Sequence, residues 1–180
     1  MTSLTINNAA TSIRDWAFYE CPLTTTLELG ENITTIGEHA FDGCGLKSVT
    51  IPKSVTSIGD NAFYSCRSLK TLSFGENSFG ENIETNIKTI GEHAFHDCAA
   101  LDNVTIPQSV TSIGNFAFYD CSALEKVNIP NDTTSIGNYA FSSCTYLRNV
   151  TIPQSVTSIG DHAFDLCRSM ISLTINDATT

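Results

Sequence analysis

Apolar residues recur along this chain at two superimposed periods. Over short stretches they alternate with polar residues, as in Val104-Thr105-Ile106 and Val150-Thr151-Ile152, which is the period of a half-buried strand. Over longer distances the whole apolar block returns. Ala-Phe stands at Ala17-Phe18, Ala40-Phe41, Ala62-Phe63, Ala94-Phe95, Ala117-Phe118, Ala140-Phe141 and Ala163-Phe164, at steps of 23, 22, 32, 23, 23 and 23 residues. A Cys follows three residues after each Phe (Cys21, Cys44, Cys66, Cys98, Cys121, Cys144, Cys167), which accounts for all seven cysteines. The full unit is L-x-x-V-x-I-P-x-x-V-x-x-I-G-x-x-A-F-x-x-C-x-x, with clean copies from Leu101 to Ala123 and from Leu147 to Ser169. A fixed period in this range marks a solenoid, in which no unit can bury its apolar face alone and stacked units share one core.

Each unit predicts two extended segments and one helical turn. Val104 to Ile106 is the first strand and Val110 to Ile113 a shorter second one, with Pro107 ending the first, where a missing N–H does little harm. Gly114 is expected to permit a sharp turn. The residue after it, one of Asp15, Glu38, Asp60, Glu92, Asn115, Asn138 or Asp161, suits the start of a short helix, whose exposed N–H groups it would cap or complement. On such a helix Phe118 and Cys121, three apart, would both point inward. The expected fold is an α/β repeat solenoid: a parallel β-sheet of short strands with one short helix per 23-residue coil, about seven coils forming a single domain over residues 1–180.

The V-T-I-P strand, the S-V-T-S-I-G step and the D-N-A-F-Y-S-C and G-N-F-A-F-Y-D-C segments carry a family likeness. From Leu4 to Ile175 the chain resembles the BspA-like class of leucine-rich repeats. That resemblance implies a curved solenoid with a parallel sheet on one face. It also implies kinship with surface or secreted proteins of bacteria and protists that act in adhesion and protein binding. It brings no catalytic motif.

The 32-residue step contains nine extra residues, and the segment F-G-E-N-S-F-G-E-N from Phe74 to Asn82 reads as a local duplication. It predicts an insertion loop near residues 75–86 that presents Phe79 and Glu81. Insertions in repeats often carry binding residues, although a neutral slip at a tolerant loop has the same appearance. Its carboxylates fit no standard calcium-loop spacing. Both ends, Leu4-Thr5-Ile6 and Leu173-Thr174-Ile175, stand in mid-pattern without an atypical capping coil. This fits an excerpt from a longer array, or end coils that pair with another molecule in end-to-end self-association.

The formal net charge of −10 argues against nucleic acid and against attraction to anionic membranes. No apolar run approaches the length of a membrane span, and Met1 to Phe18 has no leader pattern. The expected location is therefore cytoplasmic for a complete chain; for an excerpt, the family resemblance implies the cell surface or secretion. The cysteines are expected to be buried free thiols: seven is odd, and stacked equivalents point the same way. His39, His93 and His162 share the column just before Ala-Phe with Trp16, Asn61, Phe116 and Tyr139. They occupy non-adjacent coils, which suits half-exposed packing rather than metal binding. Three hydroxyl-rich columns complete the surface. One runs through Thr5, Thr50, Thr105, Asn128, Thr151 and Thr174, another through Thr34, Thr111 and Thr134, and a third through Ser57, Ser112 and Ser135.

No enzyme motif and no cofactor motif is present. The expected function is a non-catalytic module that binds protein or carbohydrate, with Thr50, Thr105, Asn128, Thr151, Phe79 and Glu81 as ligand-face candidates. The alternative is a structural spacer in a longer array with no dedicated ligand.

Overall fold

The structure, a computed structural model, describes residues 2–75 and 85–175. Phe79 and Glu81 lie outside the described residues. Among the described residues there are fifteen strands, numbered in chain order. The longer, odd-numbered ones are β1 (Ser3–Ile6), β3 (Thr26–Leu29), β5 (Ser48–Ile51), β7 (Thr71–Phe74), β9 (Asn103–Thr105), β11 (Lys126–Asn128), β13 (Asn149–Ile152) and β15 (Ser172–Ile175). They form one eight-stranded parallel sheet in that order. The two-residue, even-numbered strands are β2 (Ser12–Ile13), β4 (Thr35–Ile36), β6 (Ser57–Ile58), β8 (Thr89–Ile90), β10 (Ser112–Ile113), β12 (Ser135–Ile136) and β14 (Ser158–Ile159). These form a second, seven-stranded parallel sheet. The protein is thus a parallel β-solenoid of about seven turns.

Like positions stack on like: Ser112 pairs with Ser135 and Ile113 with Ile136, while Val127 pairs with Val104 and Thr151 with Thr174. The insertion leaves this register intact. Across the 32-residue step Ile58 still pairs with Ile90, and Leu72 with Val104. The strands on either side of the insertion, β7 and β8, are therefore in phase with those of the other coils.

The predicted helix is absent, and the hydrogen bonds show why. In the fifth coil the N–H groups of Phe116, Phe118 and Asp120 donate to the carbonyls of Asn138, Ala140 and Ser142 in the next coil, at 2.8, 2.8 and 3.0 Å. The intervening N–H groups of Ala117 and Tyr119 close tight turns onto Gly114 and Phe116. A helix would spend every one of these donors within its own segment. Here alternate donors face sideways, as in a sheet, so the third wall of the solenoid is a ladder of paired turns.

The geometry requires two left-handed residues per coil. They fall just before Ala-Phe (Trp16, His39, Asn61, His93, Phe116, Tyr139, His162) and just before Cys (Glu20, Gly43, Ser65, Asp97, Asp120, Ser143, Leu166), at φ of 49–70°. Thirteen of these fourteen positions hold a residue other than glycine, each at a cost of about 1–2 kcal/mol. They persist because the lateral bonds over-determine the backbone. The column expected to cap a helix serves the neighbouring coil instead: the Asp60 carboxylate accepts from the Glu92 N–H at 2.8 Å, and the Asn115 carbonyl from the Asn138 N–H at 2.9 Å.

Gly114 also has a different role from the one expected. It is not in a left-handed conformation. A Cβ built on it would meet Glu92 N and Gly91 C at 2.8 Å, so the column is glycine because the preceding coil passes too close for any side chain.

Inside, Phe18, Phe41, Phe63, Phe95, Phe118, Phe141 and Phe164 form a stack with ring centroids 5.2–5.4 Å apart and planes within 12°. Each pair contributes about 0.5–1.5 kcal/mol beyond area burial. The cysteines are buried from Cys44 to Cys144 and half-buried at Cys21 and Cys167. Each thiol from Cys44 onward donates to a Phe carbonyl of the preceding coil, for example Cys121 Sγ–H to Phe95 O at 3.2 Å. Burial pushes these thiols up, to about 11 for Cys44 and Cys167 and well above the ordinary value for Cys66, Cys98, Cys121 and Cys144. They act as small core residues that satisfy a carbonyl, not as nucleophiles.

Two substitutions test this architecture. Gly114→Ala should lower the unfolding free energy by about 1–3 kcal/mol in urea titration, because the backbone it would strike cannot move aside. At Ser143, with φ of 63°, Ser143→Gly should raise stability by about 0.5–1 kcal/mol and Ser143→Val should lower it. Equal stability of the three would show that the left-handed turn is not held in solution.

Candidate functional surfaces

Two faces of the solenoid carry the candidate chemistry. The first is the outer face of the eight-stranded sheet. Thr50, Thr105, Asn128 and Thr151 are all exposed there, each on an outward strand position. Thr105 pairs directly with Asn128, and β13, which carries Thr151, is the next strand after β11. Thr50 stands two strands from Thr105, on the far side of β7. The four are not equally available. The Thr50 hydroxyl shares a 3.0 Å bond with Ser73. The Asn128 amide is spent on main chain, accepting from Ile106 N–H at 2.8 Å and donating to Ile106 O at 3.2 Å. The hydroxyls of Thr105 and Thr151 make no side-chain hydrogen bond among the described residues and keep their capacity for a ligand.

At one corner this face opens into a hollow of about 420 Å³, a size that accommodates a small ligand or a side chain of a partner. Phe74, Ile106 and Pro107 give it an apolar floor. Thr105, Lys88, Gln108 and Asp132 supply polar groups around it. The two other hydroxyl columns are largely committed to the fold. Thr34, Thr111 and Thr134 donate to carbonyls of the coils before them at 2.9–3.2 Å, and Ser135 donates to Ser112 at 2.9 Å.

The second face is the outside of the turn ladder. The column before Ala-Phe forms two stacks of rings: Trp16 on His39 at 3.8 Å, and His93, Phe116, Tyr139 and His162 in succession at 4.7, 4.9 and 4.8 Å. A second column, at the residue after each Phe, had not been read as a ring column from the sequence. It places Tyr19, Tyr64, His96 and Tyr119 beside the first. His96 packs between Tyr64 and Tyr119 at 4.6 and 4.7 Å. The signal was available as one more position tallied across the repeat. Within each stack the inner ring faces are covered by their neighbours, and the end rings Trp16 and His162 keep one face open. The histidines are half-exposed packing residues here, as expected, with His162 the most exposed of them. No group of three or more His, Cys, Asp or Glu among the described residues is placed to hold a metal.

Two histidine contacts stand out electrostatically. His39 Nδ1 lies 2.7 Å from an Asp42 carboxylate oxygen; burial raises the Asp42 pKa, and His39 partly offsets this. His93 and His96 face each other, Nδ1 to Nδ1 at 2.9 Å. Only one ring can carry the shared proton. Burial lowers both pKa values, that of His96 to about 4, with the neighbouring His93 as a further cause.

The sequence signature described as the BspA type leucine-rich repeat region matches in six copies, over residues 1–82 and 80–180. The chain belongs to the BspA-type leucine-rich repeat family. No curated protein matches it in sequence. Among solved structures, this BspA-type chain is similar to the leucine-rich repeat protein TpLRR of T. pallidum. Identity is 27%, over 94% of this chain and 79% of that one, with a TM-score of 0.83. It is also similar to a leucine-rich cell surface protein of Faecalibacterium prausnitzii, with 27% identity over 97% and 60% of the two chains and a TM-score of 0.55. A leucine-rich repeat protein of Bacteroides ovatus shares the fold at 22% identity, 98% and 55% coverage and a TM-score of 0.67. The chain thus spans little more than half the length of the last two. No helix among the described residues is long and apolar enough to cross a membrane.

The paired histidines generate a pH dependence. The folded pKa of His96, about 4, lies below its ordinary value of 6.5. Between these values the unfolded chain binds a proton that the folded chain does not. Stability should therefore be fully present above pH 6.5, fall as the pH drops toward 4, and stop falling on this account below that. Urea unfolding across this range should show the decline. His96→Tyr, which copies Tyr64 and Tyr119 of the adjacent coils, should remove that component. An NMR midpoint for His96 at its ordinary value would contradict it.

Proposed function

We propose that this protein is a non-catalytic interaction module whose outer sheet face binds a protein or carbohydrate ligand, in the manner of an adhesin-like surface repeat. The observation that carries the reading is the hollow beside Thr105: an apolar floor of Phe74, Ile106 and Pro107 ringed by Lys88, Gln108 and Asp132, on a sheet whose hydroxyls at Thr105 and Thr151 make no side-chain hydrogen bond among the described residues. An apolar base with a few convergent polar groups is the usual composition of a binding site. Outward positions also vary from coil to coil where a binding face needs variety, with Lys47, Lys70, Asp102, Glu125 and Arg148 at the equivalent place before each strand. The rigid ladder beneath fixes these side chains and lowers the ordering cost of binding.

Membership of a repeat family with a cell surface protein among its structural relatives supports a role outside the cell, at a surface. The spread of like residues over all coils supports a non-catalytic role, since catalysis needs one unique cluster. The competing reading is a spacer without a ligand, favoured by the small number of charges on the sheet face.

A panel of surface proteins and immobilised glycans separates the two. A specific ligand should bind the wild-type chain and lose about tenfold or more in affinity in Thr105→Arg, which fills the hollow from an exposed position without touching the core. Thr11→Arg, on the second sheet's border, should bind as wild type. Absence of any ligand across the panel would favour the spacer.

A further inference from the structure

The charge of this chain is sorted by wall. In each coil the turn wall consists of the seven residues that end at Cys, for instance Asn115 to Cys121, and all of them are among the described residues. Over the seven coils this wall holds ten of the nineteen Asp and Glu and none of the nine Lys and Arg. It therefore carries a net of −10, equal to that of the whole chain, and the rest of the sequence sums to zero.

The wall also shows how a cation sits on it. Arg67, just past Cys66, reaches out of its own coil and donates from Nε and Nη2 to one carboxylate oxygen of Asp97 in the next coil, at 2.8 and 2.7 Å. One coil further on, Asp120 repeats Asp97, but Ala99 stands where Arg67 did. Asp120 forms no ion pair among the described residues. Burial and the neighbouring Asp97 raise its pKa, and Arg67, held on Asp97, only partly offsets this. A half-buried carboxylate beside a second one gains from any cation brought to it.

The rings beside this seat suit the stem of an arginine. Tyr119 immediately precedes Asp120 and packs against His96 and Phe116, with ring centroids 4.7 and 5.7 Å away. All three rings are half-exposed. An arginine lays its methylene groups along such apolar ground while its head keeps polar company. Burial holds the His96 pKa at about 4, so that ring adds no positive charge at neutral pH. The seat lies in the fourth and fifth coils, with further coils on both sides, so its exposure owes nothing to either end of the chain.

We propose that the turn wall docks an arginine-rich segment of a partner protein, with one guanidinium on Asp120 as Arg67 sits on Asp97. Further arginines of that segment meet the other carboxylates of the wall. Arginine is preferred to lysine because its planar fork brings two N–H groups to one carboxylate, as Arg67 does. This surface is separate from the sheet face, and its partner is independent of any ligand bound there.

Fluorescence anisotropy with a labelled oligoarginine peptide tests this, with oligolysine and oligoglutamate of equal length beside it, at physiological ionic strength to screen diffuse attraction. Oligoarginine should bind, oligolysine should bind about fivefold or more weakly, and oligoglutamate should not bind. Asp120→Asn, which keeps a residue type suited to the left-handed turn, should raise the dissociation constant for oligoarginine about tenfold. Glu31→Gln, an equal loss of charge at the corner between the two sheets, should bind as wild type. Arg67→Ala vacates Asp97 and should bind more tightly than Lys53→Ala, which removes the same charge away from the wall. Should Asp120→Asn fail to fold, NMR shift changes in the wild type report the same site: they should fall on His96, Phe116 and Tyr119 and spare Thr50 and Thr151. Absence of binding, equal affinity for oligolysine, equal losses in Asp120→Asn and Glu31→Gln, or shift changes confined to the sheet face would each overturn the proposal.

Discussion

The structure depends on one interaction, the sideways hydrogen bond from a coil's N–H to a carbonyl of its neighbour. Two walls obtain this bond from ordinary parallel strands. The third obtains it from turns, and only by turning alternate donors outward with two left-handed residues in every coil. The rest follows from that spacing. Coils close enough to share such bonds leave no room for a side chain in the Gly114 column. They bring the Phe rings into continuous stacking. They also leave each Phe carbonyl within reach of a thiol from the next coil, which gives cysteine a structural task that needs no partner sulfur.

Much of this was legible in the sequence because a repeat turns one-dimensional spacing into three-dimensional columns. The strands, the Phe and Cys positions in the core and the outward place of Thr50, Thr105 and Thr151 followed from counting, and the family from the resemblance of the repeat motifs. The helix did not survive, and the reason is specific. Phe118 and Cys121 face the same way whether the chain makes one helical turn or two tight left-handed ones, so the spacing could not separate them. What separates them is the destination of alternate N–H groups, which is set by another coil. A clue did exist in residue type: Asn61, Asp97 and Asp120, together with Gly43 and three histidines, occupy the left-handed columns, and these types tolerate positive φ better than most. The dual role of Asn128 was not legible either, because an amide that clasps the Ile106 main chain and one that waits for a ligand look alike in sequence.

The distribution of function over the surface follows the same division of labour. The turn wall is filled with stacked rings and carboxylates that mostly satisfy one another. The second sheet spends its hydroxyls on holding coils together. The outer face of the long-stranded sheet retains uncommitted groups, with Thr105 beside a hollow. The candidate ligand-face residues Thr105 and Thr151 thus stand where the fold asks least of its side chains.

The direction of the lateral bonds has a mechanical corollary. They run along the solenoid axis, so tension applied between the two ends opens them like a zip, coil after coil, rather than loading all of them together. Each released coil of 23 residues would pay out about 75–80 Å of extended chain, and the remaining coils would keep their register. A molecule built in this way yields length gradually under load and can rewind from whatever part is still coiled.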